Sequence, residues 1–126
     1  MMDAVAPVQD NYLVNRFYHL KDGNPEDYQL FAFFDSLPAM PAVRMLGDWT
    51  GGILSQDHPV EQQLHAMAWN GKRFSSANDV NPIISLDKSG ARVVNDVMGT
   101  ASLREVVFRG VATATMIYDK NPVFDH

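Results

Sequence analysis

The chain has 126 residues, 46% of them hydrophobic and 20% charged, which fits one compact domain and excludes a disordered acidic tail or a collagen-like chain. With no Cys there is no disulfide scaffold, thiolate metal site, iron–sulfur ligation or thiol nucleophile, a composition that suits a reducing cytoplasm. The net charge is −5 and the ten basic residues are scattered, only Lys72 and Arg73 being adjacent, so the concentrated basic face of a nucleic-acid binder is missing.

The first ten residues carry no positive region and no apolar stretch, unlike a signal peptide. No apolar run approaches the roughly 20 residues of a membrane-spanning helix. A cytoplasmic protein without a membrane span is expected. Leu13 to Leu20 suggests a short helical turn. Asn24-Pro25-Glu26-Asp27 reads as a helix start, with Asn24 as cap, Pro25 in the first position and two acids at the positive end of the dipole. Tyr28, Leu30, Phe31, Phe33, Phe34 and Leu37 follow at spacings of three and four, predicting a helix with a broad apolar face that Pro38 ends. The aromatic cluster Phe31, Phe33 and Phe34 is assigned to core packing.

After Pro41 the pattern changes to short apolar segments between turn signals. Strands are predicted at Trp49–Leu54, Leu64–Trp69, Pro82–Leu86, Ala91–Asp96, Leu103–Phe108 and Val111–Tyr118. Asn70-Gly71 predicts a hairpin or turn, Arg109-Gly110 a bulge or a tight turn with the bulge favoured, and Lys88-Ser89-Gly90 and Asp119 to Pro122 turns. The expected architecture is one domain over 1–126. A helical N-terminal segment at 1–40 would close one side of a small antiparallel β-barrel or strongly bent sheet at 41–126.

Several residues in this order form a recognisable series. Gly47-Asp48-Trp49-Thr50-Gly51 is followed by Asp57-His58-Pro59, by Trp69-x-Gly71-Lys72-Arg73-Phe74 and by Val80-Asn81-Pro82-Ile83. Further on come Leu103-Arg104-Glu105-Val106, Arg109-Gly110-Val111, Ala114-Thr115-Met116-Ile117-Tyr118-Asp119 and Pro122-Val123-Phe124-Asp125-His126. From about Phe33 to His126 the chain resembles the GXWXG family together with the domain of unknown function that follows it. The resemblance implies a lipocalin-like barrel and no settled activity. Three departures stand out: Asp57 replaces a Gly, Asn81 replaces a His, and family members continue past the segment that ends here at His126. The last departure leaves two alternatives, a chain cut short at this point or sheet edges left open for a partner chain, such as a second copy, to cover; an open edge strand invites pairing.

Trp49 and Trp69 are expected to plug the closed end of the barrel, with the glycines at 47 and 51 giving backbone access to the indoles. Met45, Trp49, Met67, Trp69, Met116 and Tyr118 are the expected ligand-lining residues, methionine adapting to irregular apolar shapes. The candidates for acid–base chemistry are His58, Lys72, Tyr118 and Asp119, with Arg104 and Arg109 as further polar residues of interest. No His pair has metal-ligand spacing, and no phosphate loop, nucleophile elbow or dinucleotide fingerprint occurs, so neither metal nor cofactor is expected. Three readings stay open. One is a binder of a small hydrophobic or amphiphilic molecule. The second is a cofactor-independent isomerase, dehydratase, lyase or hydrolase, and the third a structural or interaction protein with a filled interior.

Overall fold

The computed structural model describes residues 8–55 and 58–126; Asp57 and the first seven residues lie outside them. The described residues divide into two compact units, one from residues 8–38 with 53–55 and 58–61, the other from Ala39–Gly52 with Gln62–His126.

The first unit is helical. α1 spans Val8–Gly23, longer than the turn predicted at Leu13 to Leu20, and buries Leu20. Asn24 follows it with φ +57, the left-handed conformation that ends helices and that asparagine tolerates. Asn24 therefore terminates α1 instead of capping the next helix. α2 spans Asp27–Ser36 and is capped by Glu26 in a reciprocal box, the Glu26 N–H donating to Gln29 Oε1 at 2.8 Å. The expected aromatic core is only partly realised: Phe33 and Phe34 are half-buried, whereas Tyr28 and Phe31 are exposed.

The second unit is a seven-stranded antiparallel sheet. Its strands are β1 (Gly47–Thr50), β2 (Trp69–Ser76), β3 (Asp79–Leu86), β4 (Arg92–Val94), β5 (Ala101–Phe108), β6 (Val111–Tyr118) and β7 (Phe124–Asp125). They pair in the order β1-β2-β3-β5-β6-β7, with β4 beside β3. The sheet is not closed into a barrel, since no pairing joins the four-residue β1 to the two-residue β7 among the described residues. A strongly bent sheet is what forms. β2 and β7 are four steps apart in the pairing order, roughly 19 Å in a flat sheet at the usual strand spacing. Yet Lys72 of β2 meets Asp125 of β7 at 3.4 Å, so the sheet curls until these two strands face each other.

Two turns differ from expectation for local reasons. Arg109 and Gly110 have φ +50 and +81 between the paired Phe108 and Val111, a two-residue hairpin of the primed type and not a bulge. Asn70-Gly71 lies inside β2 and is no turn; the β2–β3 turn is Ala77-Asn78. Arg104 holds that turn, its guanidinium donating to Ala77 O at 3.0 Å and Asn78 Oδ1 at 2.6 Å. The strand predicted at Leu64–Trp69 is instead the end of α3, Pro59–Ala66, then a turn at 67–68 and the first residue of β2. Pro59 suits a first helical position, Glu61 favours the first turn, and the His58 ring accepts the Val60 N–H at 3.1 Å.

The core occupies the inner face of the curled sheet. Phe74, Val80, Ala101, Leu103 and Met116 are buried there, and Ala42 and Met45 of a 3-10 turn at Ala42–Met45 pack against them with Ala114 and Tyr118. The chain just before that turn anchors to β6, where Met40 O accepts the Ala114 N–H at 2.7 Å.

Candidate functional site

The site begins with a proline in a strand. Pro82 has no N–H to give a ladder, so within a sheet it belongs at an edge or a bulge. Between Gly71↔Ile84 and Arg73↔Asn81 the register shifts, leaving Pro82 and Ile83 opposite the single residue Lys72. Such a bulge frees backbone groups and re-aims the facing side chain. Here the Lys72 ammonium donates to Pro82 O at 3.3 Å.

Alternation along the other strands brings two more groups to the same place. Asp125 pairs with Met116, so it shares a face with Met116 and Tyr118. The Tyr118 hydroxyl donates to Asp125 Oδ2 at 3.3 Å, and Lys72 Nζ reaches the same oxygen at 3.4 Å. Lys72 Nζ also lies 5.6 Å from the centre of the Trp69 ring, within range of its negative face. One carboxylate oxygen therefore serves an amine and a phenol beside an apolar core. Two of the three ammonium donors are used, leaving one without a partner among the described residues.

Burial sets the electrostatics. It pulls the Lys72 amine below the ordinary lysine range, more strongly than the neighbouring Asp125 carboxylate holds it up. Burial also raises the Tyr118 phenol, with the charge of Asp125 and the hydrogen bond to it acting in the same direction. Both shifts disfavour an extra charge: the amine gives up its proton more readily, and the phenol keeps its own.

The sequence candidates divide accordingly. Lys72 and Tyr118 come together. Asp119 does not join them; it accepts from Thr100 Oγ1 at 2.6 Å and Ser102 Oγ at 3.3 Å as an exposed turn residue. His58 belongs to the first unit and caps α3. Of the expected ligand-lining residues, Met116 is buried in the core, Met45 packs on it, and Met67 and Trp69 are half-buried. Trp49 is 41% exposed and so is no plug; its indole donates to Met45 O at 2.6 Å. The packed tryptophan is Trp69, whose ring occupies the place a Cβ on Gly51 would take. Its indole N–H is buried without a partner among the described residues. Asp125 is missing from the sequence candidates because a two-residue strand has no periodicity from which its facing can be read. The clue available was its place in Pro122-Val123-Phe124-Asp125-His126, three residues after a turn-ending Asn121-Pro122. His126 occupies the opposite face, stacked on Phe108 with centroids 4.0 Å apart and 3.1 Å from Thr115 Oγ1.

Among the described residues no three His, Asp or Glu side chains gather as metal ligands would, and no helix is long and apolar enough to cross a membrane.

The sequence and fold match known proteins at two levels. The GXWXG protein model matches residues 32–90, and that of a domain of unknown function, DUF4334, matches residues 99–126. The crystal structure of a protein from Thermomonospora curvata superposes with a TM-score of 0.84 at 32% identity, over 94% of this chain and 78% of that one. Comparison with curated proteins finds no match. With the signature glycines and tryptophan at 47–51 at the head of the sheet and the second matched segment supplying β5, β6 and β7, the chain belongs to the GXWXG family, followed by a domain of unknown function.

Proposed function

We propose that the inner face of the curled sheet binds a small amphiphilic molecule. Its polar end, an acceptor such as a carbonyl or carboxylate, would take the remaining Lys72 donor. Its apolar part would lie against Met45, Trp69 and Met116. The observation that carries this reading is the convergence of Lys72, Asp125 and Tyr118 on one oxygen at the border of an apolar core. A few convergent polar groups in an apolar surround is the usual make-up of a small-molecule site. Native mass spectrometry of the purified protein tests it: a released lipid-like species, or saturable binding of anilinonaphthalene sulfonate that Lys72→Met weakens, is expected. Protein that is ligand-free and indifferent to the probe would overturn the reading.

A second reading, a cofactor-independent enzyme working by proton transfer, is favoured by the lowered Lys72 amine beside a carboxylate and a phenol. It would use Lys72 as base, with Tyr118 as the hydrogen-bond donor to a developing oxyanion; neither His58 nor Asp119 enters it. The exposed edge of β1, which pairs with no second strand among the described residues, separately favours association of two copies, which light scattering on a sizing column would detect.

A further inference from the structure

We propose that Lys72 forms a reversible imine with an aldehyde or ketone group of a small amphiphilic ligand, in the setting that Asp125, Tyr118 and the Pro82 carbonyl build around its amine. The inference deepens the binding reading above and rests on it.

An amine attacks a carbonyl only when it has lost its proton, and at neutral pH an ordinary surface lysine has not. Lys72 differs from the other three lysines in this respect. Lys21, Lys88 and Lys120 are exposed, whereas the Lys72 side chain is 25% exposed, against the Trp69 ring and over the Pro82 carbonyl. Burial there lowers its proton affinity. The remaining exposure is what an incoming carbonyl carbon needs.

The chemistry closes without any further reagent. The Lys72 nitrogen lone pair forms the C–N bond as the carbonyl π pair moves onto oxygen. The Asp125 carboxylate, 3.4 Å from Nζ, takes one proton from the nitrogen and hands it to the alkoxide, which becomes a hydroxyl. It then takes the second nitrogen proton and gives it to that hydroxyl, which leaves as water while the electron pair left on nitrogen closes the C=N bond. One carbonyl compound and one amine give one imine and one water, and hydrolysis reverses the step. Tyr118, donating to Asp125 at 3.3 Å, is a positioning residue that orients the carboxylate.

The test uses the whole chain, decanal as probe, decanol as its unreactive counterpart, and sodium cyanoborohydride to reduce any imine. Peptide mapping should place the mass of decanal less one oxygen on Lys72. At neutral pH Lys72 labelling should exceed that of Lys21, Lys88 and Lys120 severalfold, because its amine gives up its proton more readily. Lys72→Met, checked for folding by circular dichroism, should lose that adduct. Equal labelling of all four lysines, or none at Lys72, overturns the imine. If decanol still displaces anilinonaphthalene sulfonate in that case, the binding reading survives. If neither compound displaces it and no adduct forms, both fall.

Discussion

The carbonyl of Trp49 lies where a side chain on Gly71 would be: a Cβ there would overlap the Trp49 carbonyl and crowd the backbone of Thr50. The two strands come this close because Gly71 pairs with Thr50 and Lys72 with Trp49. Gly71→Ala must push β1 off β2. Overpacking of this kind costs about 1–3 kcal/mol, and backbone against backbone belongs at the upper end. Urea denaturation should show the loss as a lower midpoint with an unchanged slope; an unchanged midpoint would show that β1 yields freely.

Gly51 stands in a similar relation to Trp69, except that its neighbour is a ring able to swing. Gly51→Ala should displace the indole and expose it to water. A red shift of tryptophan emission is the expected outcome. Trp69→Phe in the same background should remove that shift, since Trp49 is already exposed.

Lys72 holds its proton less tightly in the folded chain than in the unfolded one. Between the lowered folded value and the ordinary lysine value the unfolded chain carries more protons, so stability rises with pH across that window. Below it the buried charge costs stability in full. Lys72→Met removes the titration. Its urea midpoint should therefore compare best with wild type at low pH and lose ground as pH rises, every tenfold difference in proton affinity being worth about 1.4 kcal/mol. Parallel profiles would rule out a shifted Lys72.

Asp125→Asn acts on both neighbours in the same direction. The carboxylate holds the Lys72 amine up and pushes the Tyr118 phenol up. Without its charge both groups should titrate lower. Trinitrophenylation of Lys72 followed against pH, and the ultraviolet titration of Tyr118, should each move toward lower pH. Movement of the phenol alone would mean that the carboxylate does not act on the amine.

Much of the fold could be read from the chain, because its strands are long enough to show a pattern. Val111–Tyr118 is β6 at both ends as predicted, and the other β5 and β3 segments lie within the observed strands. What misled was local chemistry with two uses. Asn-Gly at 70–71 is a turn dipeptide, yet here the glycine is needed for the close approach of β1. Leu64 to Trp69 has strand-like apolar content, but the helix start at His58-Pro59 decides its fate. A closed barrel requires the outer strands to meet, and the shortness of β1 and β7 carried no signal in composition. In the site, Lys72 and Tyr118 could be named from their motifs. Asp125 could not, because its facing depends on pairing with Met116 across a turn.

The curl of the sheet turns Lys72 into a latch. β7 is tied to its neighbour by only two residue pairs, and the Lys72–Asp125 bond clips it from the far side of the concavity. A covalent adduct that drew the amine away would unclip that short strand. Occupancy of that kind would be transmitted to Phe124 and Asp125, where faster amide hydrogen exchange would announce it.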